Sequence, residues 1–272
     1  MPETILFVTS FSPDLYRASG RRLLESFRVV QQPGILLSCY ERTRPDDLLC
    51  RRRPFEFYDL DRDDFLQTWL QDNRDVIPKH LGGATTICGC KDAHLRHSRF
   101  HKRGCHWHWM NRNASRFFRK VASLRRAAEL ADELGTPWLV WLDSDCYFVQ
   151  SLPLSYLNDK LRDVALFHFR GHREATESGI VGYHLERGGR RFIEALCERY
   201  TSREYLKYHR WDDGFHFADL VDKGIVKSRD LAHPSKWRKK TEDVIPTTDI
   251  REYLAHEKGR NGQHGSDGGV ML

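Results

Sequence analysis

Trp138-Leu139-Val140-Trp141-Leu142-Asp143-Ser144-Asp145 decides the fold. Five consecutive apolar residues, opened by a turn and closed by polar ones, are the pattern of a strand buried on both faces, as central strands of parallel sheets are. Asp143 and Asp145 follow directly, at the carboxyl end of that strand, where open α/β sheets bind their ligands. Two carboxylates one residue apart repel each other unless a cation lies between them. Mg2+ or Mn2+ takes one or two such carboxylates together with substrate phosphate oxygens. There it neutralises a diphosphate leaving group as the bond to it breaks. Asp also serves ordinary turns through its side-chain hydrogen bonds, so the surroundings have to be consulted.

The surroundings favour an α/β domain. Upstream, Ser115 is placed to cap an amphipathic helix whose apolar face is Phe117, Val121, Leu124, Ala128, Ala131 and Leu134. Gly135-Thr136-Pro137 ends it. At the start of the chain, Ile5–Val8 reads as a buried strand and Thr9-Ser10-Phe11-Ser12-Pro13 as a loop. Tyr16, Leu23, Leu24 and Phe27 recur at helical spacing, and Ile35–Cys39 is a second apolar run ending at Tyr40-Glu41. Strand, helix, strand is a right-handed βαβ unit. Further strands are expected at Phe55–Tyr58, Val164–Phe169 and Ile180–Leu185, and helices at Asp61–Leu70, Arg190–Tyr200 and Asp212–Val221. Residues 80–112 lack periodicity and read as a long loop; residues 259–272 form a glycine-rich tail. Without a repeat or a linker, residues 1–272 are expected to form a single domain.

Composition agrees with a globular protein: 272 residues, 40% hydrophobic and 12% aromatic, at a net charge of +6. The positive surplus suits polyanionic ligands such as phosphates or nucleic acid. No segment approaches the roughly 20 apolar residues of a membrane span, and no targeting segment is visible, so the expected location is the cytoplasm, or the host's if the chain is phage-encoded. The 7 cysteines are odd in number and irregular in spacing, which argues against a disulfide framework.

Other candidates gather around the Asp pair. His256, in Tyr253-Leu-Ala-His256-Glu-Lys258-Gly-Arg, can add a metal ligand, and Lys258 a phosphate contact. Lys120, on the polar side of the long helix, can point at phosphate. Asp212 and Asp213 open a helix, and Glu177-Ser178-Gly179 precedes a strand; each supplies a carboxylate able to orient or deprotonate an acceptor hydroxyl. The alternative for Asp212 or Asp213 is a plain helix cap. Cys88, Cys90, His94, His97, His101, Cys105, His106 and His108 offer ligand types for a structural Zn2+, although their spacing is not that of a tight tetrahedral site.

These motifs together resemble the GT-A glycosyltransferases. The resemblance is carried by Phe-Val-Thr9-Ser10, Ser-Cys-Tyr40-Glu41, Arg116-Phe117-x-x-Lys120-Val121, Val-Trp-Leu-Asp143-Ser-Asp145, Glu-Ser-Gly179, Trp-Asp212-Asp213 and His256-Glu-Lys258-Gly259. It implies a Rossmann-like, mostly parallel sheet flanked by helices. It implies a nucleotide cradled by Thr9, Ser10, Tyr40 and Glu41, a metal (Mn2+ or Mg2+) held by Asp143, Asp145 and His256, and a diphosphate met by Lys258. Within that fold the chain is similar to the base J glucosyltransferase group and its phage relatives, which put sugars on hydroxymethylated pyrimidines in DNA. The implied partners are a nucleotide sugar, a UDP-sugar above all, and DNA as acceptor. Arg51-Arg52-Arg53, Lys91 to Arg103 and Lys236 to Lys240 are basic runs able to track a phosphate backbone, and Trp107, Trp109 and Trp237 lie among them to stack a base. The rival readings are a transferase with a glycan, lipid or protein acceptor, a zinc-stabilised nucleic-acid-binding module, and a metal-dependent phosphoester hydrolase.

Overall fold

The computed structural model describes residues 4–42, 54–75, 114–172, 174–232 and 244–257, with only the backbone at 171 and 172. Lys258, the Cys/His-rich segment and the basic runs lie outside them. The elements are β1 (Ile5–Phe11), a helical turn α1 (Pro13–Leu15) running through a π-turn at Tyr16–Gly20 into α2 (Arg21–Val29), β2 (Ile35–Tyr40), β3 (Phe55–Asp59), α3 (Asp64–Asp72), α4 (Ala114–Leu134), β4 (Trp138–Leu142), β5 (Cys146–Phe148), α5 (Leu154–Lys160), β6 (Leu166–His172), β7 (Ala175–His184), α6 (Gly189–Thr201), α7 (Asp213–Asp222), β8 (Ser228–Asp230) and β9 (Leu254–His256). Seven strands form one sheet in the order β3-β2-β1-β4-β7-β6-β8, and β5 pairs with β9 in a second, small sheet.

Strand alternation divides the core into two layers. Leu6, Val8, Leu139, Trp141, Val181 and Tyr183 face one way, against α3, α4, α6 and α7. Ile5, Phe7, Trp138, Val140, Leu142 and Ile180 face the other, against α2, α5, β5 and the turns at Ile245–Thr247 and Asp249–Glu252. Every residue of β4 is buried, as an apolar strand between two helical layers must be. The expected apolar face of α4 packs on the sheet, and Gly135, at φ +66, closes the helix in the left-handed conformation that glycine adopts without steric cost.

Three expectations are corrected. The first strand extends to Phe11, because β2 continues to pair with it as far as Phe11↔Tyr40; Thr9 and Ser10 are therefore ladder residues and not loop. Ser115 lies inside α4, which is already helical at Ala114. β4 is central and parallel to β1, but its other neighbour, β7, is antiparallel, with Leu142 opposite Ile180. That reversal matters for the site: the chain entering β7 passes the carboxyl end of β4, so residues 177–179 arrive beside Asp143. No described helix is long and apolar enough to cross a membrane.

One buried histidine makes the fold acid-sensitive. His216 is fully buried against Tyr200, Tyr208 and Phe215, and among the described residues neither ring nitrogen has a hydrogen-bond partner. Burial, with the charge of Arg199 nearby, pulls it from the ordinary 6.5 down to about 3. Below about pH 6.5 the unfolded chain takes up a proton here that the folded chain refuses, so stability falls as pH falls towards 3. His168, held to about 4 chiefly by burial, adds in the same direction. Melting curves between pH 7 and 5 should show a declining Tm, and His216→Phe should flatten that decline; an unchanged slope in the variant would refute the assignment.

Candidate active site at the carboxyl end of the central strand

Trp141 and Asp143 are two residues apart on one strand direction, so their side chains emerge on the same side. The indole Nε1 of Trp141 donates to Asp143 Oδ1 at 2.7 Å. Above them, α4 presents Lys120, whose Nζ is 3.2 Å from the same oxygen, 2.8 Å from Asp213 Oδ2 and 2.5 Å from the Ser178 carbonyl oxygen. The ammonium also sits 4.7 Å from the Trp141 ring centroid, within cation–π range. Ser178 Oγ donates to Asp213 Oδ2 at 2.7 Å. Burial opposes the charge on Lys120, yet the Asp143 and Asp213 carboxylates outweigh it and hold its pKa above the ordinary value. Burial likewise opposes the charge on Asp213, and Lys120 and Ser178 overcome it, keeping this carboxyl below its usual range. The result is a satisfied charge cluster beneath the site.

The second carboxylate looks elsewhere. Asp143 N donates to the Gly179 carbonyl at 2.7 Å, and the chain then turns so that Cys146 N donates back to the Asp143 carbonyl at 3.0 Å. Asp145 thereby faces β9. Its Oδ1 lies 3.2 Å from His256 Nε2, whose side chain is 3% exposed. That oxygen is buried, and the His256 ring is the group that faces it. Burial would raise the Asp145 pKa, but His256 overrides it and lowers it. Cys146 is opposite His256 in the β5–β9 ladder, and single ligand atoms of Asp145, Cys146 and His256 all lie within 4.8 Å of one another. Gly179 completes the corner: a Cβ there would sit 3.0 Å from the His256 ring and 3.4 Å from Glu177 Oε1. This set of carboxylate, thiol and imidazole fits a divalent cation.

Lys120, Asp143, Asp145, Glu177, Asp213 and His256 are thus brought to one end of β4. Other expected site residues are occupied differently. Thr9 is completely buried within the layer packed on α2, so its hydroxyl has no access to a nucleotide. Ser10, next to last in β1, and Tyr40, the last residue of β2, are half-buried. Glu41 is engaged by Arg119, with Nε at 2.7 Å from Oε1. Asp212 caps α7 through Phe215 N at 3.0 Å and receives both arms of Arg210 at 2.7 and 2.9 Å; the geometry gives it the capping role. Lys120 points into the charge cluster and not towards solvent, so it braces the carboxylates where a phosphate contact was expected. Cys146, Ser178 and the Trp141 indole were missed. Ser178 stood inside a motif already singled out, whereas nothing in sequence spacing shows that Cys146 faces His256.

By sequence the chain matches no protein-family model and no curated protein. By structure it is similar to the galactosyltransferase LgtC in complex with donor and acceptor sugar analogues, with a TM-score of 0.52 and 11% identity over 94% of this chain and 88% of that one. The fold is GT-A. Two further glycosyltransferases align at a TM-score of 0.46. One is mouse xyloside xylosyltransferase 1 (13% identity, 82% of each chain), and the other is involved in glycosylating the major capsid of PBCV-1 (11% identity, 95% and 96%). In GT-A terms, the corner built by Asp143, Asp145, Gly179 and His256 occupies the carboxyl edge of the central strand, the place where such a sheet binds its ligand.

Bracing by Lys120 has a measurable consequence. Removing one member of a buried charge cluster leaves the others uncompensated, at a cost of about 3 kcal/mol or more. Lys120→Met should therefore lower the urea midpoint of the chain with no ligand added, whereas a lysine serving only a donor phosphate would leave it unmoved.

Proposed function

We propose that this chain is a metal-dependent glycosyltransferase that moves a hexose from a nucleotide sugar, a UDP-sugar in the first instance, to a hydroxyl acceptor. The observation that carries the reading is the pairing of Asp145 Oδ1 with His256 Nε2 at 3.2 Å, with the Cys146 thiol in the same cluster, at the carboxyl end of β4 in a GT-A sheet. Asp145 and His256 would hold Mn2+ or Mg2+, and Asp143 stands beside them: its Oδ1 is committed to Trp141 and Lys120, while its side chain remains 37% exposed. Such a cation supplies positive charge to a departing diphosphate.

The protein's own contributions follow from the geometry. Gly179 lets the His256 ring pack against bare backbone: a Cβ there would sit 3.0 Å from the ring and 3.4 Å from Glu177 Oε1. Glu177, half-buried beside that corner, is suited to orient the acceptor hydroxyl for attack at the anomeric carbon. Asp213, paired with Lys120, fixes Ser178 and so the backbone leading into Gly179. Ser10 and Tyr40, at the strand ends on the β1–β2 side, are the remaining candidates for the nucleotide.

For the acceptor we propose a hydroxymethylated pyrimidine in DNA. Support comes from the sequence: a net charge of +6 and basic runs interleaved with tryptophan. Chemically, the hydroxymethyl group offers the primary alcohol that the transfer needs.

Incubation with Mn2+ and individual nucleotide sugars, reading freed nucleotide, should identify one donor. Asp145→Asn and His256→Ala should each lower turnover by about 100-fold or more, the scale on which charge stabilisation operates at such sites. EDTA should abolish turnover and Mn2+ restore it; full activity in EDTA would end the metal-dependent reading. With the donor in hand, label should pass to hydroxymethylcytosine-containing duplex DNA, with binding that weakens steeply as salt rises. Transfer to glycans or lipids in preference to DNA would displace this acceptor.

A further inference from the structure

The Asp-x-Asp pattern suggested an oxygen-rich site in which both carboxylates reach the cation. The described geometry differs. Asp143 Oδ1 is taken up by the indole of Trp141 and the ammonium of Lys120, and Asp143 is not among the residues whose ligand atoms cluster. Cys146 is. Directly opposed residues of an antiparallel pair project their side chains to the same face, with Cβ atoms about 5 Å apart. The register Cys146↔His256 therefore aims thiol and imidazole at one volume, and the turn through Ser144 brings the Asp145 carboxylate to it. The β5–β9 pair is also pinned: Phe148 N donates to Ser26 Oγ of α2 at 2.9 Å, and Glu257 N to the Asp145 carbonyl at 3.0 Å. Sulfur, nitrogen and one carboxylate oxygen form a set typical of zinc sites, whereas Mg2+ requires near-octahedral oxygen.

We propose that Cys146 is a protein ligand of the cation together with Asp145 and His256, and that the site therefore selects thiophilic divalent ions such as Zn2+ or Co2+ over Mg2+. This rests on the metal-binding reading given above and narrows it: the sulfur joins the ligand set, and Mg2+ becomes the disfavoured ion. On binding, the thiol S–H bond breaks, its proton passes to solvent, and the sulfur lone pair goes to the cation; nothing is oxidised or reduced. The 3.5 Å contact from Cys146 Sγ to the Gly179 carbonyl is a weak one, as thiol donors are.

The test is titration of the whole chain with Co2+, followed in the near ultraviolet for thiolate-to-cobalt charge transfer, with Mg2+ competition in parallel. The difference spectrum between wild type and Cys146→Ser isolates this thiol from the other cysteines of the chain. The expected result is a band lost in Cys146→Ser and again in Cys146→Ala, with metal-free Tm values close to wild type. In both variants the preference for Co2+ over Mg2+ should fall by about tenfold or more, since soft ligands are what favour such ions. A band of full intensity in both variants overturns the proposal. If Asp145→Ala and His256→Ala lose Co2+ while the Cys146 variants keep the wild-type spectrum and preference, only the thiol assignment fails. If Asp145→Ala and His256→Ala also bind as wild type, the metal-binding reading fails with it.

Discussion

The ammonium of Lys120 is the group on which the rest of this site depends. Two carboxylates, a carbonyl oxygen and an indole face converge on it from three elements: Asp143 and Trp141 from the β4 end, Ser178 from β7 and Asp213 from α7. An uncompensated charge among such well-packed residues would be prohibitive; compensated on several sides, it locks the elements into one register. Helix α4 is long enough to deliver this lysine because its apolar face, from Phe117 to Ala131, is seated along the sheet. The length and stripe of that helix, plain in the sequence, thus have a consequence at the far end of β4 that the sequence does not display.

The division of labour between the two aspartates follows from strand geometry. A side chain two residues beyond Trp141 falls on the α4 layer, so Asp143 meets Lys120. A further two residues on, past a turn, the chain has changed direction, and Asp145 meets β9 instead. An Asp-x-Asp pair at a strand end therefore need not act as one chelate. One carboxylate is tied to the protein's internal charge balance, and the other faces the residues that can bind a cation.

Much of the scaffold was legible because it is written in local periodicity. The apolar run Trp138–Leu142, the helix behind it and the parallel pairing of the first two strands all follow from burial patterns a few residues long. The extent of β1 was not legible: Thr9 and Ser10 look polar enough for a loop, and only their pairing with Ser38 and Cys39 shows them to be strand. Within that strand the Thr9 side chain points into the layer packed on α2 and is buried. The reversed direction of β7 is non-local as well, set by how 166–184 folds back on itself through β6 and β7. At Asp212 the two readings, cap or catalyst, were equal in sequence. They are separated by Arg210, which engages both carboxylate oxygens and leaves the helix N-terminus as their other partner.

The meeting of His256 with Asp145 is the least local feature, and a three-residue strand brings it about. Three ladder residues could not hold a chain segment unaided. Here the segment is fastened at several points. Val149 N bonds the Tyr253 carbonyl at 2.8 Å, and the Tyr253 ring packs edge-on to Tyr156. Arg22 of α2 pairs with Glu257 at 2.5 Å while its guanidinium lies 3.6 Å over the Tyr147 ring. Each contact is partly exposed and individually modest; together they fix a histidine whose ring is 3% exposed. The helix that follows β1 thus positions, through Arg22 and Ser26, a residue 230 or so positions later in the chain, which is why the strand ends and the late histidine can form one site.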